Sequence, residues 1–512
     1  MRARTAGSLL ALLATPALAQ DAPLSAIDWL SESVAPAALP QAPPAVIEPP
    51  VASDAAAPDI TVTPLDRPEA APLGVLPPES TGLPRSLWAA SDGATLADLL
   101  RATPSESLPA LQDLVVTLML AEADGPRDGG PGGDRALALA RVDRLLDMGA
   151  LEAAGALLES GDLLDPAWFR RWFDVTLLDG TEDRACELLR EHPALAPTLE
   201  ARVFCLARNG DWNAAALTLN TARALGDVTP EEELLLARFL DPELAPEGPD
   251  ARPERPSPLV YRIREAVGDL MPTSGLPLAF AHADLRSIVP WRTQIEAAER
   301  LARRGALSPE ALRDVYLART PAASGGVWDR AAAVQALDAA LKDGDAPAVA
   351  EALTAAWASL GEAGLRPALS RLYGPALVAL DLPEPARRLA LEAGLLSGAY
   401  REAALALDPS DPETALWRTV ALGEPLAAPE ADARAAAVLA GLGDAPVPES
   451  VAPLLDEGRV GEAALGAVAA FGQGLDGDRG AVTDALATLR ALGLIDVARR
   501  AALEYLTLGE GA

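Results

Sequence analysis

Leu146-Asp-Met-Gly-Ala-Leu-Glu-Ala-Ala154, Leu178-Asp-Gly-Thr-Glu-Asp-Arg-Ala185 and Ala207-Arg-Asn-Gly-Asp-Trp-Asn-Ala-Ala215 share one design. Each closes a helix at a glycine (Gly149, Gly180 or Gly210) and opens the next helix within a few residues. The residue that ends a helix often turns left-handed, which costs glycine little and other residues more. The Ala-Ala pairs after two of these turns let neighbouring helices approach closely. The glycines stand 31 and 30 residues apart, a spacing that predicts successive helical hairpins. Alanine and leucine, both strong helix formers, dominate the chain, and few stretches show the β-branched alternation of strands. The expected fold is all-α, with each hairpin burying one face on the next.

The same punctuation returns less evenly at Gly305, Gly344, Gly398, Gly458 and Gly493. Gly210-Asp-Trp-Asn-Ala-Ala-Ala216 and Gly398-Ala-Tyr-Arg-Glu-Ala-Ala404 carry the motif most clearly: a glycine, a short turn, an aromatic residue, then alanines. Here the sequence resembles the tetratricopeptide-repeat-like superfamily. The spacing drifts from that family's 34-residue period, and no single unit holds its full consensus. The resemblance implies a helical-hairpin repeat solenoid whose concave surface receives peptides or other proteins. It carries almost no information about chemistry.

The start of the chain reads as an export signal over residues 1–19. Arg2 and Arg4 precede a short apolar core, Ala6 to Ala14, and Ala17-Leu-Ala19 offers small residues at a cleavage site. That core is far shorter than the ~20 apolar residues needed to cross a bilayer. The expected location is therefore the periplasm, with no membrane span after cleavage. Residues 20–84 are rich in proline and alanine and read as a disordered tether. Within it, residues 24–34 form a short amphipathic island. Leu24, Ile27, Leu30 and Val34 recur at helical spacing with Trp29 beside them, a candidate docking motif or a segment that folds back on its own body. Two helical blocks are expected at 85–246 and 259–508, separated by a proline-rich linker at 247–258. Leu108 to Ala121 has almost no polar surface and predicts a buried helix.

Charge and composition narrow the function. With 42 basic and 74 acidic residues the net charge is −32, which repels nucleic acid. Charged partners would need basic patches, and the expected partners are other proteins or peptides of the envelope. Two cysteines and two histidines, without close pairing, do not make a zinc site. No phosphate loop, dinucleotide fingerprint, Gly-x-Ser-x-Gly or His-Glu-x-x-His occurs, so no cofactor, metal or catalytic residue is expected. Glu231-Glu232-Glu233 follows Thr229-Pro230 and reads as a capped helix start. Trp168 and Trp172 fall four apart on one face with Leu164, as core residues do. His192 lies in a turn and His282 beside a loop.

Cys186 and Cys205 sit on helices expected at 182–191 and 198–209, flanking a turn at His192-Pro193 to Pro197. An antiparallel hairpin brings them to similar height, and the periplasm permits a disulfide; packing as small hydrophobic residues is the alternative. The functional expectation is a non-catalytic scaffold or adaptor of the bacterial cell envelope. Two alternatives stand beside it. One is a helical, α/α-barrel-like carbohydrate-active enzyme, which needs two carboxylates and an aromatic-lined cleft. The other is a structural envelope or surface protein.

Overall fold

The computed structural model describes residues 73–129, 133–243, 252–424 and 432–508. The signal, most of the tether and the docking motif at 24–34 lie outside the described residues. Helices run in order: α1 Pro78–Thr81, α2 Gly93–Ala102, α3 Pro109–Leu120, α4 Gly133–Asp147, α5 Leu151–Glu159, α6 Pro166–Asp179, α7 Glu182–Glu191, α8 Leu199–Arg208, α9 Trp212–Leu225, α10 Pro230–Leu240 and α11 Pro258–Ala266. A 3-10 segment, Leu278–Leu285, follows. Then come α12 Trp291–Ala302, α13 Pro309–Leu317, α14 Val327–Asp343, α15 Ala346–Gly361, α16 Arg366–Val378, α17 Ala386–Leu395 and α18 Tyr400–Ala406. The last are α19 Pro412–Leu422, α20 Ala433–Leu442, α21 Ala452–Asp456, α22 Val460–Leu475, α23 Arg479–Ala491 and α24 Ile495–Leu508. Among the described residues there is no strand, only two isolated bridges.

Local chemistry explains the punctuation. Gly149, Gly180 and Gly210 all turn left-handed, with φ of 73°, 84° and 84°. Five helices open on a Ser, Thr or Asp followed by proline: α6, α10, α11, α13 and α19. In each the capping side chain accepts a main-chain N–H of the first turn, and proline occupies a position whose own N–H has no helical partner. At α10 the cap is reciprocal: Thr229 accepts from the Glu232 amide, and the Glu232 carboxylate accepts from the Thr229 amide at 2.8 Å. Gly398 is an exception to the glycine pattern. Its turn is closed by Ser397, whose hydroxyl donates to Gly394 O and accepts the Ala399 amide.

Consecutive helices pack on one another across short turns, but the array does not divide at the proline-rich linker. One core runs from Leu83 to Ala283 and includes Leu391 to Tyr505, while a second holds Trp291 to Leu396. Helix α11, just past the linker, packs on α6 and α8 of the first block. The cause lies in α3. It is apolar on nearly every face, burying Leu111, Leu114, Val115, Leu118 and Met119, and such a helix must be covered on all sides. Helices α4 and α5 cover part of it, and α22 and α24 cover the rest. Both ends of the described chain therefore meet on α3.

Polar contacts secure that meeting. Asp113 accepts from Arg371 through both carboxylate oxygens at 3.0 and 2.7 Å, and from Arg500 at 3.1 Å. Buried Glu504 accepts the Ala110 amide at 2.8 Å.

Residues 73–84, read as the end of the tether, lie against the body. The Val75 and Leu76 amides donate to Leu120 O, and the Glu122 amide donates to Leu76 O. These exchanges satisfy carbonyls and amides where α3 ends, which a proline-and-alanine composition does not foretell. Among the described residues no helix is long and apolar enough to cross a membrane.

Candidate functional site

A groove with several convergent polar groups lies between α11, the 3-10 segment and α12, with a volume of about 630 Å³. Leu270 and Ile288 stand on it with 68% and 75% of their surface exposed. Both belong to connections rather than helices, and each is followed by a proline within two residues. Met271, Pro272, Val289 and Pro290 extend the apolar lining.

The polar side is built from Tyr261 and Glu265 on α11, Asp284 on the 3-10 segment, and Arg300 on α12. The Thr273 hydroxyl donates to Asp284 at 2.5 Å. Arg300 donates to Thr273 O at 2.7 Å and Leu276 O at 3.1 Å, pinning the loop that carries Leu270 to Pro272 beneath α12. Arg262 and Arg286 both close on Glu265, and Arg262 also reaches Glu182 at 2.6 Å. Burial pushes the Asp284 carboxyl above its ordinary range, against the Thr273 hydrogen bond and the Arg300 and Arg286 charges. Burial also raises the Tyr261 hydroxyl, aided by the negative charges of Asp284 and Glu265. Tyr261 packs edge-on against Phe280, with ring centroids 5.6 Å apart. An apolar rim over a few fixed polar groups is the usual make-up of a binding cleft.

The residues singled out from the sequence lie elsewhere. Cys186 and Cys205 are joined by a disulfide, with Cα atoms 4.8 Å apart, in the hairpin α7–α8. Both are buried within the main core, whereas the apolar stripe alone places them to its side. A loop of this length, closed over a sequence separation of 19, stabilises a fold by about 3 kcal/mol on the chain-entropy model. The protein, denatured without reductant, should titrate no free thiol. After reduction it should titrate two and unfold at lower urea. Two free thiols before reduction would show the bridge absent.

Trp168 and Trp172 are buried, donating to Leu158 O at 2.6 Å and Glu159 at 3.3 Å. Leu164 does not share their face; it precedes the Asp165 cap and is half exposed. His282 lies on the 3-10 segment that packs against α4 and α6, where its Nε2 meets Gly149 O at 2.8 Å, and burial lowers its pKa. His192 ends α7 and caps nothing with its side chain. Among the described residues, no three Asp, Glu, His or Cys side chains converge as a metal site.

No family model, curated protein or solved structure matches this chain. The groove residues carry a faint sequence signal: Leu270-Met-Pro272 and Ile288-Val-Pro290 are apolar triplets that each end in proline.

Proposed function

We propose that this protein is a non-catalytic, protein-binding scaffold of the bacterial envelope, built as a degenerate tetratricopeptide-repeat-like array and exported to the periplasm. The observation that carries the reading is the pair of exposed apolar side chains, Leu270 and Ile288, on the rim of a groove with a fixed polar wall. Water-exposed leucine and isoleucine side together over a cleft gain most when a partner's apolar side chain covers them. The carboxylates there support binding over chemistry: Glu265 is engaged by two arginines, and Asp284 is held by Thr273. The left-handed glycine turns support the repeat assignment, and the Cys186–Cys205 bridge supports an oxidising compartment.

The test compares the parent chain with a Leu270→Asp, Ile288→Asp double variant. Both substitutions fall at exposed sites, so the urea midpoint should stay within about 0.5 kcal/mol of the parent. A partner isolated with the parent, then prepared pure, should bind the variant at least about tenfold more weakly. Equal affinity for both would move the binding surface off this groove.

A further inference from the structure

Leu270 and Ile288 stand largely exposed over a groove of about 630 Å³, which takes the side chains along one face of a short helix and not the helix itself. Met271 and Val289 widen the apolar rim, and Glu265 and Asp284 add carboxylates to the lining. An occupant must therefore offer several large apolar side chains on one side and keep its acids off that side. Residues 24–34 (Leu-Ser-Ala-Ile-Asp-Trp-Leu-Ser-Glu-Ser-Val) meet both demands. A helical turn of about 3.6 residues puts Leu24, Ile27, Leu30 and Val34 on one side, with Asp28 and Glu32 on the other and Trp29 at the margin. Beyond the signal at 1–19, residues 20–72 hold no longer run free of proline.

The connection has the reach, and it leaves the body close to the groove. Thirty-eight residues, 35–72, join Val34 to Leu73; a chain of that length spans about 35 Å as a flexible coil and roughly 120 Å as extended polyproline. Leu73 O accepts from Arg141 of α4 at 3.0 Å. Just past α4, Gly149 O meets His282 Nε2 at 2.8 Å, and His282 belongs to the 3-10 segment that gives Asp284 to the groove. Arg141 and Gly149 are eight positions apart, about 12 Å along a helix axis. Val34 is thus tied to a point within the connection's own span of the groove. Such a tie gives the segment a local concentration on the order of 1 mM, so weak affinity is enough to fill the groove. A second copy lacks that advantage and carries the same net charge of −32.

We infer, resting on the groove's role as a docking surface, that residues 24–34 dock as a short helix on the Leu270–Ile288 groove of their own chain. Leu24, Ile27, Leu30 and Val34 enter between Leu270 and Ile288, while Asp28 and Glu32 stay in water, away from Glu265 and Asp284.

The test places the photo-crosslinker p-benzoylphenylalanine in the full chain in place of Trp29. Irradiation is expected to give a product that migrates as one chain, with the new bond mapped by mass spectrometry to residues 270–273 or 288–297. Its yield should be equal at about 1 μM and about 100 μM chain, as for a contact within one molecule. Leu270→Asp with Ile288→Asp should lower the yield at least about fivefold. Ile27→Asp with Leu30→Asp should do the same and leaves the described body untouched, which keeps the test open should the first pair fail to fold. No cross-link, a bond mapped elsewhere on the body, or a yield indifferent to both pairs would each overturn the proposal. A two-chain product whose yield rises with concentration would assign the segment to a second copy and overturn it equally. Failure of the partner reading shows separately. A single-chain cross-link into the groove, with partner affinity unchanged by Leu270→Asp and Ile288→Asp, upholds the docking and removes the partner from this groove.

Discussion

Replacing Arg141 by methionine is expected to destabilise the protein by about 3–5 kcal/mol, the scale for stranding buried polar groups. Arg141 is 2% exposed and spends its guanidinium on three main-chain carbonyls: Met119 O at 2.7 Å, Ala121 O at 2.8 Å and Leu73 O at 3.0 Å. Two of these belong to the last turn of α3, where carbonyls have no helical partner; the third belongs to the segment entering from the tether. Burial lowers the arginine to about 10, so its charge is costly, and it persists because one fork reaches three acceptors, of which Leu73 O also receives the Ala123 amide at 3.4 Å. Methionine fills similar volume but takes the donor away from the carbonyls of Met119 and Ala121 and leaves Leu73 O only its long bond from the Ala123 amide. Arg141→Lys should fall between, since one compact ammonium cannot span all three. Urea unfolding at fixed pH reads the cost through the midpoint. Limited proteolysis should open first within residues 73–84, whose main-chain contacts fall on Leu120 O and the Glu122 and Ala123 amides, beside the carbonyls that Arg141 holds. A loss below about 1 kcal/mol, with those residues still protected, would show that water replaces the guanidinium without penalty.

What the sequence discloses here follows the range of each interaction. The α7–α8 hairpin lies within a residue of its expected limits at either end, because its signals are local: Gly180, Pro193 and Pro197 bracket both helices. The Thr229-Pro230 cap is legible for the same reason, with donor and acceptor three residues apart. The all-α class follows from composition. The meeting of the two chain ends does not, since Asp113 contacts Arg371 and Arg500 across separations of 258 and 387. A lone aspartate on a nearly apolar helix was the visible trace of it. An isolated charge on such a face requires a partner, and a chain with forty-two basic residues offers too many to choose from. The candidate site was hidden differently. The Leu270 and Ile288 rim sits in connections, where periodicity has no meaning.

Glu504→Gln is expected to gain stability on the parent as pH rises from 5 to 8. Glu504 stands at the seam where the ends meet, 3% exposed, and burial raises its carboxyl from 4.5 to about 7, against the Ala110 amide and the charges of Arg371 and Arg500; Asp113 adds to the rise. Between about pH 5 and 7 the folded protein thus holds a proton that the unfolded chain has released. Stability contributed by this group is complete below pH 4.5 and is lost as pH climbs through 7. At 1.36 kcal/mol per unit the total is on the order of 3 kcal/mol. Asp174, also raised to about 7, acts in the same direction. His282 acts in the opposite one: burial lowers it, so its neutral form is lost from the unfolded chain as pH falls below its ordinary 6.5. The parent's own curve mixes all three, but the difference between parent and variant removes Asp174 and His282. Glutamine keeps an oxygen for the Ala110 amide and cannot ionise, so that difference should be near its minimum at pH 5 and grow by on the order of 3 kcal/mol by pH 8. Urea unfolding of both chains at pH 5, 6.5 and 8 measures it. A difference that stays flat would mean Glu504 is ionised in the fold at every pH, with Arg371 and Arg500 outweighing burial. The seam would then be an ordinary ion-pair network, weakening as pH falls instead of as it rises.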